Sequence, residues 1–157
     1  MPFKATRKTL AVSVTPDYSS GDIVGGLLDF SMRTPGGGGL LKRLTIKSKV
    51  AIANDSVVYL FDSEPDNGDT AVADNAAFSL AEEDKTKLIG RVAVATASFV
   101  NIGAVTEGDL YLFEVALDIP FKFEAENRTI YAAWVAGGSI NVAAVDDIEM
   151  ILGAELD

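Results

Sequence analysis

Arg43-Leu44-Thr45-Ile46-Lys47-Ser48-Lys49-Val50 decides the fold class. Leu44, Ile46, Ser48 and Val50 alternate with Arg43, Thr45, Lys47 and Lys49. An extended strand points successive side chains to opposite faces, whereas a helix repeats every 3.6 residues. The stretch therefore reads as a half-buried β-strand with one cationic face.

The same reading extends outward from it. Downstream, Val57 to Phe61 is β-branched and aromatic on both sides, as in a central strand. Leu88 to Ala95 reads as a strand, and Ala97 to Ile102 as a short one. Leu110 to Leu117 puts Tyr111, Phe113, Val115 and Leu117 on one face. Thr129 to Val135 places Tyr131 and Trp134 on opposite faces. In the last strand Ile148, Met150 and Leu152 face one way, Asp147 and Glu149 the other. Upstream, Leu10, Val12 and Val14 alternate until Thr15-Pro16-Asp17 breaks the run. Ile23 to Arg33 reads as one strand with a bulge or close approach at Gly25-Gly26. Pro35 and Gly36 to Gly39 make the strongest loop signal. Ser79-Leu80-Ala81-Glu82 has capping-box spacing, which predicts one helical turn over Ala81 to Lys85.

Short strands with turn signals every ten or so residues predict an all-β fold. The expectation is a single-domain antiparallel β-sandwich or barrel, jelly-roll-like, with at most one short helix. Residues 1–17 are expected to form an N-terminal arm, and 18–157 the β domain.

Composition narrows the chemistry. The 157 residues hold no His and no Cys. That excludes a Ser-His-Asp triad, a thiol nucleophile, a disulfide framework and a Cys/His zinc site. At 48% apolar and 23% charged, the chain has the balance of a globular protein. No apolar run reaches the roughly 18 residues of a membrane span, and Met1 to Leu10 lacks an apolar signal core. The net charge of −10 argues against nucleic-acid binding. The charge is uneven. Residues 1–50 hold eight basic and three acidic side chains, residues 51–157 five and twenty. Such asymmetry often marks two functional faces.

Four groups of residues could carry function. Asp62 to Asp69 spaces carboxylates like the start of a calcium loop. Its glycine falls one place late and Ala73 stands at the twelfth position, so a solvated turn is the better reading. Gly36 to Gly39 lacks the Gly-Lys-Ser/Thr and the following helix of a phosphate cradle. Glu82-Glu83-Asp84, Asp146-Asp147 and Glu124 with Glu126 could supply paired carboxylates, but their turn positions predict solvated surface. Arg43, Lys47 and Lys49, with Lys4, Arg7 and Lys8, could dock on an acidic protein surface. Alternatively they pair across strands with the chain's own acids. Asn127-Arg128-Thr129 matches a glycosylation triplet, which carries meaning only in a secreted chain.

Three stretches carry a resemblance. The first is Tyr18-Ser19-Ser20-Gly21-Asp22-Ile23-Val24-Gly25-Gly26-Leu27-Leu28-Asp29-Phe30. The second runs from Tyr59-Leu60-Phe61 through Pro65 and Ala73-Asp74-Asn75-Ala76-Ala77-Phe78 to Leu88-Ile89-Gly90. The third is Ile119-Pro120-Phe121-Lys122, then Ile130-Tyr131, then Ile148-Glu149-Met150-Ile151-Leu152-Gly153. In this order they resemble a family of small tailed-bacteriophage virion proteins, some of which look like capsid decoration (cement) proteins. The resemblance implies a non-enzymatic structural protein without cofactor or metal. It implies binding to the major capsid protein on the outer capsid surface, and self-association as a homotrimer. It further implies synthesis in the host cytoplasm and no nucleic-acid or membrane partner. Its alternative is a tail or fibre module that binds a host surface. On the decoration reading, Lys4, Arg7, Lys8, Arg43, Lys47 and Lys49 are expected to face the capsid.

Overall fold

The computed structural model describes residues 2–32, 37–103, 108–124 and 126–157. Its strands are β1 (Phe3–Thr9), β2 (Leu28–Ser31), β3 (Gly38–Ser48), β4 (Ser56–Phe61) and β5 (Leu88–Val94). They continue with β6 (Val100–Asn101), β7 (Tyr111–Lys122), β8 (Thr129–Val135) and β9 (Ile148–Leu156). Two short 3-10 segments, Glu82–Lys87 and Thr96–Ser98, are the helical elements among the described residues.

The strands form two sheets, β1-β9-β3-β7-β6 and β2-β8-β4-β5. All strand pairs in them are antiparallel. With the two-residue β6 set aside, four strands of each sheet interleave as two Greek keys, which is the jelly roll. The all-β sandwich expected from the sequence is what the chain forms.

The core lies between the sheets. Leu44, Ile46, Met150 and Leu152 face Phe30, Val58, Leu60, Ile130 and Trp134, all fully buried. Burial of such side chains contributes about 1.5–3 kcal/mol each. The one indole N–H is satisfied inside the core, where Trp134 Nε1 donates to Ser56 Oγ at 2.8 Å. Leu41 and Leu44 are both buried although three residues apart. An odd spacing cannot put both on one face of a regular strand, and a register shift between Leu41 and Arg43 absorbs the difference.

Within the span 1–17 expected as an arm, residues 3–9 are in extended conformation. They form the edge strand β1, in register with β9 from Phe3 opposite Glu155 to Thr9 opposite Glu149. Leu10 and Val12 then enter the core without strand pairing. The expected strand over Ile23 to Arg33 shortens to Leu28–Ser31. The pairing with β8 is interrupted at Gly25 and Gly26, which adopt φ of +80° and +73°, and Ile23 resumes it as a single bridge to Val135. A Cβ on Gly25 would stand 2.8 Å from Leu10 Cβ, so this is the close approach the glycines signalled. The helical turn begins at Glu82 without a side-chain cap. Ser79 is instead committed to a backbone bridge with Ala71, and the Thr70 hydroxyl accepts the Ala81 N–H at 2.9 Å. Gly38 and Gly39 open β3, while Arg33 to Gly36 lie outside the described residues.

Candidate interaction surface

The two sheets meet solvent differently. The outer face of β2-β8-β4-β5 is roofed by the chain itself. Ile23, Phe61 and Ala133 form a second buried cluster there, with Tyr59, Phe78, Leu80, Tyr131 and Val135 against it. Phe78 stacks on Tyr59 with ring centroids 4.9 Å apart. Backbone bonds from Ile23 N to Ala76 O (2.9 Å) and from Phe78 N to Gly21 O (2.8 Å) sew the roof together.

Asp74 fixes this roof to the core. Its Oδ1 accepts the Tyr18 O–H at 2.6 Å and the Gly25 N–H at 2.7 Å. Its Oδ2 accepts the Ser13 hydroxyl, and the Tyr18 oxygen accepts the Ser13 N–H at 2.6 Å. Burial, and then the bond to Asp74, push the Tyr18 phenol up to about 12. Asn75 takes a left-handed φ of 58° and donates to Pro16 O at 2.9 Å. Asn tolerates that conformation better than most residues. The Ala73-Asp74-Asn75-Ala76-Ala77-Phe78 stretch is therefore structural: it ties the roof down.

The acidic turn Asp62 to Asp69 is answered by the chain's own cation. Lys87 Nζ lies 2.6 Å from Asp66 Oδ1, 2.8 Å from Asp84 Oδ1 and 2.7 Å from Glu64 O. Asp84 is 1% exposed and also accepts the Asn67 N–H and the Thr70 hydroxyl. Burial pushes the Asp84 carboxyl up, but Lys87 and these donors outweigh it and hold the group below its ordinary value. An ammonium thus lies against the turn whose carboxylate spacing only begins like a calcium loop. Among the described residues, no three carboxylates gather as a metal site.

The other paired carboxylates lie at the positions their turns predict. Glu82, Glu83, Asp146, Glu124 and Glu126 are exposed. Buried Asp147 accepts the N–H groups of Ala143 and Ala144 at 2.9 and 2.8 Å. Asn127 of the glycosylation triplet is half-buried and donates to Asp62 O.

Among the described residues, the outer face of the five-stranded sheet has no such roof. Phe3 and Val100, at its two edges, are 57% and 58% exposed. Register puts Phe3 and Ala5 of β1, Ile151 and Gly153 of β9, Thr45 of β3, Leu112 of β7 and Val100 of β6 on this face. An open depression of about 270 Å³ lies among them, bounded by Arg43, Lys47 and Glu114.

The six sequence-predicted docking cations fall into three places. Arg7, Arg43 and Lys47 share this outer face. Lys4 and Lys8 project from the opposite side of β1, where Lys8 pairs with Asp29 of β2 at 2.8 Å. Lys49 stands just beyond β3 and meets Asp146 at 3.9 Å. The chain's own acids answer the face cations as well. Arg7 and Lys47 share Glu149 at 3.6 and 3.8 Å, and Arg43 meets Glu114 at 3.8 Å. Lys4 has no ion pair among the described residues. Sequence reasoning found the cations of this face but not its apolar centre. Phe3, Leu112 and Ile151 come from three strands that are distant in sequence.

No family model and no curated protein matches the chain. Solved structures do. A chain of a Nora virus structure is 7% identical over 97% of this chain, with a TM-score of 0.36. This chain spans about half, 53%, of that one. A chain of honeybee Sacbrood virus in expansion state I is 11% identical, with 98% of this chain and 80% of that one covered and a TM-score of 0.39. A legume lectin-like domain from Entamoeba histolytica is 12% identical, with 99% and 89% covered and a TM-score of 0.31.

Proposed function

We propose that this chain is a structural protein of a tailed-phage virion that docks on the outer capsid surface and ties neighbouring major capsid protein subunits together. It acts through surfaces rather than catalysis. The observation that carries this reading is the electrical polarity of the sandwich. The strands of the five-stranded sheet bear seven cations (Lys4, Arg7, Lys8, Lys42, Arg43, Lys47 and Lys122) against four carboxylates (Glu114, Asp118, Glu149 and Glu155). The remainder of the chain holds six cations and nineteen carboxylates. An acidic molecule whose cations are concentrated on the strands of one sheet approaches an acidic surface with that sheet first. The sequence resemblance supplies the identity of that surface. A symmetric oligomer, a trimer as the resemblance implies, would multiply modest contacts per subunit.

The test is binding of the purified protein to capsids stripped of it. Regular density between capsomers, with the five-stranded sheet inward, is the expected result. The double variant Arg7→Glu/Lys47→Glu, which reverses two cations of the outer face, should bind more slowly at low salt. Absence from heads, with label on tails or host cells, would move the function to host recognition.

A further inference from the structure

We propose that the depression on the bare sheet is an anchor site for one large apolar side chain, aromatic or branched aliphatic, projected by the capsid partner. The inference rests on the docking reading and names what holds the docked state.

Size is the first argument. At about 270 Å³ the depression falls below the range of about 300–1,000 Å³ usual for small-molecule sites. It suits a single side chain. Its lining is the second. Gly153, Ile151 and Thr45 make the floor, with the Phe3 ring and Leu112 as walls. Thr45 is 5% exposed although it faces outward, so the floor is already largely withdrawn from water. Gly153 is what keeps it open. A Cβ there would stand 2.7 Å from Phe3 Cζ and displace the ring.

Charge is the third argument. Arg43 with Glu114, and Lys47 with Glu149, flank the depression as pairs already made. A charged side chain entering the depression would have to break them and would gain little. An apolar side chain projecting from the partner can bury the centre and leave the pairs as a rim. That is the arrangement of interface hot spots, in which an anchor fills a pocket inside a polar ring. The cations outside the rim then govern how fast the partners meet, and the anchor how long they stay.

The experiment separates these rates on stripped capsids. Phe3→Ala and Leu112→Ala should each speed dissociation about tenfold, the scale of losing a hot-spot contact. Association should be unchanged, and both variants should melt close to the parent protein. Phe3 is more than half exposed, so its loss leaves the fold intact. Unchanged dissociation of Phe3→Ala from capsids that bind the parent protein overturns the anchor and leaves the docking reading standing. Failure of the parent protein to bind capsids overturns both. Sedimentation equilibrium closes the remaining route. If the free protein self-associates and Phe3→Ala abolishes it, the occupant is a second copy and the capsid anchor is wrong.

Discussion

Single side chains carry unequal shares of this structure, and the buried polar ones carry large shares. Asp74 satisfies the Tyr18 hydroxyl, the Ser13 hydroxyl and the Gly25 N–H together. Asp74→Ala leaves the fully buried Tyr18 hydroxyl without its acceptor, at a cost of about 3 kcal/mol in urea unfolding. Tyr18 itself gives a pH signature. Its phenol ionises near 10 when unfolded and near 12 when folded. The stability it contributes is complete below pH 10 and is lost as pH rises from about 10 to 12. The urea midpoint should therefore fall across that range in the parent protein, and less in Tyr18→Phe. Asp84 works in the opposite direction. Its carboxyl is held below the ordinary value of 3.8, so its contribution is present above that pH and is lost as acid protonates it. Lys87→Met removes the facing ammonium and should cost about 2 kcal/mol at neutral pH, read by urea unfolding. The double variant Lys87→Met/Asp84→Asn should recover part of it. A parent-like midpoint for Lys87→Met would show that the loop does not need its internal cation.

At the level of the element, legibility followed apolar patterning. β3, β4, β5, β7, β8 and β9 each bury one face, or both, in apolar surroundings, and alternation or a continuous apolar run betrayed them. β1 was missed as a strand because its inner face is polar. Lys4, Thr6 and Lys8 point toward β2, where Thr6 bonds Ser31 O and Lys8 pairs with Asp29. Nothing in a local window distinguishes such a strand from a basic tail. The roof was unreadable for a related reason: Asp74 serves partners 49 to 61 residues away in sequence. The status of β1 can be tested directly. Deleting residues 2–9 exposes the β9 edge to pairing with other chains. The truncated protein should aggregate or melt about 10 °C lower, given about 2–4 °C per kcal/mol for a domain of this size. Unchanged melting and solubility would restore the arm reading of this segment.

For the whole molecule, strand order is the property that sequence patterns could not supply. Patterning says which residues are inside, not which strand lies beside which. The observed order pairs β1 with β9 and β2 with β8, the most separated partners the chain offers. Chain closure of this kind precedes the contacts that reward it, so refolding should take on the order of milliseconds to seconds. Stopped-flow Trp134 fluorescence would measure it, since that indole is fully buried when folded. The same pairing has a mechanical consequence. Leu156 N–H donates to Pro2 O at 2.9 Å, so the two ends lie side by side on antiparallel strands. Tension applied to residues 2 and 156 runs along those hydrogen bonds and opens them one pair at a time, as a zipper opens. Tension entering through the face of the sheet spreads over several strands at once. On the proposed docking, a capsid that swells would strain this protein far less if gripped by its broad side than if held by its ends.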